Sequence, residues 1–353
     1  MLKNLLFSLG AAGLVAGLPS SPRATEEAPQ VPTLGLANIT KIDMAAGGLQ
    51  GRRLAGPFMG VDFPDPSMIW GDGSWKAYAT SSNGKNIPVA TSSDTWSWTL
   101  TRNDALPNPG PWVDPNDQGI WAPDVNKNDD GVYVMYYTAH QNGGSHCIGA
   151  ATSNTALGPF TPQAQPLICD AANGGVIDAS GYDDGTNRWI LWKVDGNSLG
   201  GATTCQGGTP SGSYTPTPIK IQRVARDGLT LLDSPKTILD NEGASNNGVV
   251  EAPALYKIAD GNYVLFYSAH CYSSDDYDVE YAFSSTIDGA YTNRGILIRT
   301  VDNKGVYGPG GLDIDPNGKN VVFHGRLAAN QGGASRELYS AELTISGRSI
   351  SGV

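Results

Sequence analysis

The chain has 353 residues, a formal net charge of −11 and only 16% charged residues, a balance that argues against nucleic acid as a partner. With 40% hydrophobic residues and 45 glycines it has the material for a core and many turns, which excludes an acidic disordered protein and favours a β protein. A neutral polymer is compatible with this charge, and the length accommodates one large domain or two.

Taken in order, residues 1–20 read as a secretory signal peptide. Lys3 supplies the positive start, Leu5 to Leu18 is an apolar or small run too short to span a membrane, and Ala16 and Gly17 offer a cleavage site. Residues 21–34 are polar and Pro-containing and read as a linker, leaving 35–353 for the folded domain. Asn38-Ile39-Thr40 is a glycosylation sequon. Four cysteines on a secretory chain imply two disulfides. Three connectivities are open and the sequence does not choose; the preferred one joins Cys147 to Cys169 within one unit and Cys205 to Cys271 between neighbouring loops. No CxxC or HExxH motif is present, so no zinc site is expected.

Five stretches share one design: Phe63 to Ala79, Ile120 to Thr138, Val176 to Lys193, Val249 to His270 and Pro309 to Gly325. Each has a carboxylate beside a small residue or Pro, a short strand, a Gly/Asp/Asn turn and an aromatic-rich strand. In the fourth, the first strand is expected at residues 254–258 with Glu251 just ahead of it. The carboxylates Asp65, Asp124, Asp178, Glu251 and Asp313 recur at intervals of 59, 54, 73 and 62 residues. A repeat of this length with several strands per unit predicts an all-β, five-bladed β-propeller with very little helix. Equivalent positions at the starts of the innermost strands then converge on one end of one funnel. Ile148 to Ser153 and Val279 to Ser284 read as third strands. Asn197 to Pro218, rich in Gly, Ser, Thr and Pro, reads as a long disulfide-held loop on the funnel side.

Cleaving a glycosidic bond needs two carboxyl groups flanking a sugar, one protonated and one ionised, and a third can raise the pKa of the acid. Asp65 is fixed between Pro64 and Pro66, Asp178 follows Val176 and Ile177, and Glu251 follows Val249 and Val250 in a desolvating setting.

The motifs PDPS (64–67), WAPD (121–124), IDAS (177–180) and EAP (251–253), in this order at blade spacing, resemble the motif set of family 43 glycoside hydrolases, five-bladed propellers acting on arabinan, arabinoxylan and xylan. The resemblance runs from about Pro64 to the end of the chain. It implies Asp65 as general base, Asp178 as modulator and orienter of the acid, Glu251 as general acid, and inversion at the anomeric carbon. Many members carry a His in a GPGH segment facing an axial ion or water cluster. Here the segment is GPGG, Gly308 to Gly311. An axial calcium or sodium ion is therefore not expected to be required, and no other cofactor is. His324 is either the alternative source of an imidazole or a packed second-strand His, and Arg326, which resembles the Arg of a YHAR-like segment of some members, either holds a sugar hydroxyl or pairs with a structural acid; both are candidate substrate contacts. Trp121 is a candidate for stacking on a sugar ring. Asp62 supports the loop of Asp65, and Asp124 and Asp313 read as structural.

The expected protein is a secreted, extracellular monomer whose partner is a polysaccharide or oligosaccharide, with no membrane or nucleic-acid partner. A non-catalytic carbohydrate-binding propeller is the alternative, but it has no need to retain all three acids. The related fructan-hydrolysing propellers use a WMNDPNG-like segment, which is missing here.

Overall fold

The computed structural model describes residues 54–117, 119–201, 205 and 214–353. The expected signal peptide, linker and sequon lie outside them. Five antiparallel sheets follow one another along the chain. From inner to outer strand, blade 1 is Ser67–Gly71, Ser74–Tyr78, Pro88–Ser92 and Thr99–Asp104, and blade 2 is Trp121–Lys127, Tyr133–His140, His146–Ser153 and Ile168–Cys169. Blade 3 is Val176–Asp183, Arg188–Val194, Ile219–Val224 and Lys236–Leu239; blade 4 is Val250–Lys257, Tyr263–Ala269, Asp278–Ser284 and Thr292–Ile298. Blade 5 is Tyr307–Ile314, Asn320–Arg326 and Glu337–Glu342, and its outermost strand, Leu54–Phe58, comes from before blade 1. Helix among the described residues is confined to 3-10 turns of three or four residues, none long enough to cross a membrane. Both preferred disulfides form, Cys147–Cys169 between paired strands of blade 2 and Cys205–Cys271 between loops.

The core lies between blades, and this explains why the second strands read as unbroken apolar runs. In Tyr263–Ala269, Val264 and Phe266 pack towards blade 5 with Leu312 and Phe323, whereas Leu265 and Tyr267 pack towards blade 3 with Leu191 and Ile219. A strand buried on both faces has no polar side to alternate with. Each such side chain contributes about 1.5–3 kcal/mol on burial.

The inner strands share a backbone device that sequence motifs only hinted at. One residue at the mouth of each has a left-handed backbone: Asp65 (φ 51°), Ala122 (38°), Asp178 (57°), Ala252 (51°) and Gly311 (57°). Non-glycine residues adopt this region rarely and at a cost, so something must hold it. In each case the holder is a hydrogen bond from the residue's N–H to the preceding blade. Ala122 donates to Thr80 Oγ1 (2.8 Å), Asp178 to Thr138 Oγ1 (3.0 Å), Gly311 to Ser268 Oγ (2.9 Å) and Asp65 to His324 Nδ1 (2.9 Å). Ala252 alone is different: it donates to Asp178 Oδ2 (3.1 Å).

Two expectations are corrected here. Glu251 is not ahead of the first strand of blade 4 but inside it, at a bulge between Glu251 and Ala254. The five carboxylates are not at equivalent positions either. Relative to the left-handed residue, Asp65 and Asp178 are that residue, Glu251 precedes it by one, and Asp124 and Asp313 follow it by two. The repeat is real, but its carboxylates point to different levels of the axis.

Removing one holder tests the device. Thr138 is fully buried, and Thr138→Val keeps its shape while stranding the Asp178 N–H. Chemical denaturation should show a loss of about 1–3 kcal/mol, with Thr138→Ser close to wild type; a Val variant as stable as wild type contradicts this role.

Candidate active site

Asp65, Asp178 and Glu251 line one cavity of about 190 Å³ at the mouths of the inner strands. Thr80, Trp121, Asn197, Cys205, Tyr272, Tyr277 and Arg336 complete most of its wall. The loop after the second strand of blade 3 thus reaches the funnel, as expected, through Asn197 and Cys205. Trp121 faces the cavity with its ring against His146, centroids 4.1 Å apart.

Asp65 sits in a cationic setting. Its Oδ1 accepts a hydrogen bond from Arg336 (2.9 Å) and its Oδ2 one from Thr80 (2.7 Å). Burial alone would raise its pKa, but the Arg336 charge and these bonds outweigh it and hold the carboxyl below its ordinary range. His324 adds no charge. Its Nδ1 accepts the Asp65 N–H, so that nitrogen carries no proton, and burial and then Arg336 push the imidazole pKa down to about 3. Asp62 braces the arrangement by accepting the Arg336 backbone N–H (2.7 Å).

The other wall is different. Glu251, only 8% exposed, accepts a hydrogen bond from Tyr277 on Oε1 (2.9 Å) and one from Lys193 on Oε2 (2.8 Å). Asp178, beside it, is pushed well above the carboxylate range, by burial first and then by the Glu251 charge, with Lys193 opposing. Asp178 and Glu251 thus lie together as a buried carboxyl pair, with Lys193 the cation bonded to Glu251.

Of the two readings for each, His324 takes the packed one and Arg326 the acid-paired one, so neither is a substrate contact. Neither lines the cavity. His324 is fully buried and stacks on Tyr277. Arg326 is 1% exposed, and its guanidinium donates to the carbonyls of Tyr272 and Ser274 and to the Asp275 carboxylate. These bonds shape the loop that carries Tyr272 and Tyr277. The GPGG segment follows from the same packing. A Cβ at Gly310 would lie 1.9 Å from the Tyr277 ring, and one at Gly311 2.9 Å from His324 Nδ1. A side chain at 311 and an imidazole at 324 thus compete for one space.

Sequence reasoning missed Arg336, Lys193 and Tyr277. A cation inside the apolar run RWILWKV was a usable signal for Lys193; Arg336 carried none, since it meets Asp65 across 271 residues. Below the cavity, Asp124 accepts the Gly181 N–H of blade 3 and Asp313 the Met68 N–H of blade 1 (2.7 Å each), so both join blades, as expected. Among the described residues, metal-ligating side chains gather at His270, Asp278 and Glu280, within 4.8 Å of one another and outside the cavity wall.

A five-bladed propeller that gathers three carboxylates, oppositely dressed, in one axial cavity is a frame for acid–base cleavage of a sugar linkage. Residues 55–345 match the model of glycosyl hydrolases family 43. A probable arabinan endo-1,5-alpha-L-arabinosidase A of Aspergillus flavus is 30% identical over 289 residues, 74% of this chain and 80% of that protein. A xylosidase/arabinosidase of Bacteroides ovatus is 25% identical over 54% of this chain and 59% of its own length. Among solved structures, a thermostable family-43 glycoside hydrolase superposes with TM-score 0.71 at 25% identity, covering 84% of this chain and 95% of that one. A Bacillus subtilis arabinanase shares the fold, with TM-score 0.64 at 24% identity over 83% of this chain and 98% of that one. The chain belongs to glycosyl hydrolases family 43 and is a glycoside hydrolase acting on O-glycosyl bonds.

The axial carboxylates set a pH dependence of stability. Burial pushes Asp124 up to about 6 and Asp313, which also feels Asp124, up to about 8. An unfolded Asp titrates near ~3.9, so between these values the folded state binds the extra proton. This contribution is complete below pH ~4 and is lost as pH rises towards 8, at no more than about 1.4 kcal/mol per unit per group. Unfolding free energies of the wild type should fall across this window. Asp313→Asn should flatten the slope, even though it is less stable overall for losing an acceptor. An unchanged slope removes Asp313 as the source.

Proposed function

We propose that this protein is a secreted, inverting glycoside hydrolase that cleaves arabinofuranosyl or xylosyl linkages of plant cell-wall hemicellulose or pectin side chains. One observation carries the reading: a single cavity holds Asp65 bonded to the Arg336 guanidinium on one wall, and Glu251, bonded to Lys193 and Tyr277 with Asp178 beside it, on the other. Asp65 is the general base. It takes a proton from a water whose oxygen attacks the anomeric carbon from the face opposite the leaving group. Glu251 is the general acid and gives its proton to the leaving oxygen as the glycosidic bond breaks. Asp178 raises the proton affinity of Glu251 by its nearby charge and orients it, and Trp121 offers a face to a sugar ring. The arabinan- and xylan-directed names of the relatives support the substrate class, and two disulfides support an oxidising, extracellular destination. A monomer suffices, since every group named belongs to one chain.

Two experiments test the roles. Glu251→Gln should lose nearly all activity on arabino-oligosaccharides, whose leaving groups need a proton, and much less on an activated aryl glycoside; equal losses on both count against Glu251 as acid. Proton NMR of the earliest product should show the anomeric configuration opposite to that of the substrate, with no transglycosylation. Retention would make Asp65 a nucleophile and overturn the mechanism.

A further inference from the structure

The ring of holders described above has one gap, and it lies behind the acid. On the second strand of each blade, one position faces the residue just before the left-handed one. These positions are Thr80, Thr138, Lys193, Ser268 and His324. Four of them accept the N–H of the next blade through a hydroxyl or an imidazole nitrogen. An ammonium has only donors, so Lys193 cannot. Asp178 replaces it as acceptor for Ala252, and the Lys193 side chain is released to reach Glu251. Lys193 is fully buried, with its Nζ 2.8 Å from Glu251 Oε2 and 3.1 Å from the buried Asp195.

We propose that Lys193 is a positioning residue for acid catalysis, which confines the transferable proton of Glu251 to Oε1 and neutralises the carboxylate that Glu251 becomes once the proton has left. The inference rests on the reading of Glu251 as general acid. An ammonium donating to Oε2 cannot share that oxygen with a proton directed at the same place. The other oxygen, Oε1, meets the Tyr277 hydroxyl, which can donate or accept. In the forward step the Oε1–H bond breaks, its proton passes to the leaving oxygen, and the carbon–oxygen bond electrons stay with that oxygen. Asp65 meanwhile takes one proton from water. Glu251 is left with a full negative charge facing a cation already in place. Solvent then returns a proton to the Asp178–Glu251 pair and removes the one on Asp65. Asp195 balances the ammonium while Glu251 is neutral, which keeps a charged lysine tolerable in a buried site.

The charged and titratable groups facing the pair are few. Lys193 and Asp195 come from the end of the second strand of blade 3, Tyr277 from the loop of blade 4, and Asp65 with Arg336 from across the cavity. Lys193 is the one cation in contact with Glu251 among the described residues; removing it makes the proton of the acid harder to lose, so the alkaline limb of activity moves to higher pH.

The test compares Lys193→Met and Lys193→Gln with Lys193→Arg, using pH–rate profiles on an arabino-oligosaccharide and on an activated aryl arabinofuranoside. Both neutral variants should move the alkaline limb up by about one pH unit. They should lose roughly tenfold or more on the oligosaccharide and clearly less on the aryl substrate, whose departure leaves little charge on Glu251. Lys193→Arg should keep the limb near its wild-type position. Lys193→Gln retains a donor towards Oε2, so it separates charge from packing should the Met variant fold poorly. An unmoved limb with equal losses on both substrates in the folded neutral variants overturns the proposal and leaves Lys193 a packing residue. Glu251→Gln measured alongside distinguishes the two levels. If it keeps wild-type activity on the oligosaccharide, the acid assignment itself has failed; if it fails there and the Lys193 limb is unmoved, only the present inference has.

Discussion

One hydrogen bond, repeated around a ring, organises this molecule: the N–H of a left-handed residue at the mouth of an inner strand, caught by the blade before it. Without a captured N–H the left-handed backbone at Asp65, Ala122, Asp178 and Ala252 would be an uncompensated cost in a buried place. With it, the strand turns sharply, and the side chains at the turn point into the axial cavity rather than between blades. The same bond links neighbouring blades, so orientation of the site and cohesion of the ring are one requirement.

The chemistry follows from small offsets within that repeat. A carboxylate on the turning residue itself, as in Asp65 and Asp178, reaches the cavity. One placed two residues later, as in Asp124 and Asp313, falls below it and becomes a joint between blades. Glu251, one residue earlier, stands beside the second strand of its own blade and meets Lys193 from the blade before. Side chains that look alike in sequence thus acquire separate environments. The Arg336 charge holds Asp65 below the ordinary carboxylate range, while burial and the Glu251 charge push Asp178 above it.

The blades were legible in the sequence because hairpins are local. Turn residues, aromatic strands and a repeat near 60 residues suffice to define them. The three cavity carboxylates were legible for the same reason, through short motifs tied to each inner strand. The offsets were not, because a left-handed residue and a bulge are backbone properties that Ala122 and Ala252 do not advertise. Nor were the partners: Arg336 meets Asp65 only after the ring is complete, and Lys193 meets Glu251 across a blade boundary. For His324 and Arg326 the sequence leaves a site role and a packing role both open, and only the fold decides: their side chains point into packed protein and hold the loop of Tyr277 in place.

The outermost strand of the last blade, Leu54–Phe58, is the first strand of the described chain. Beside it, Asp65 depends on His324 and Arg336, both from blade 5. A ribosome must therefore release blade 5 before Asp65 has its guanidinium or its backbone anchor. A polypeptide lacking blade 5 would present Asp178 and Glu251 beside an unbraced Asp65 and an open sheet edge. A complete cavity is thus a property of the closed circle rather than of any blade, and it exists only once Leu54–Phe58 and the strands of blade 5 have joined in one sheet.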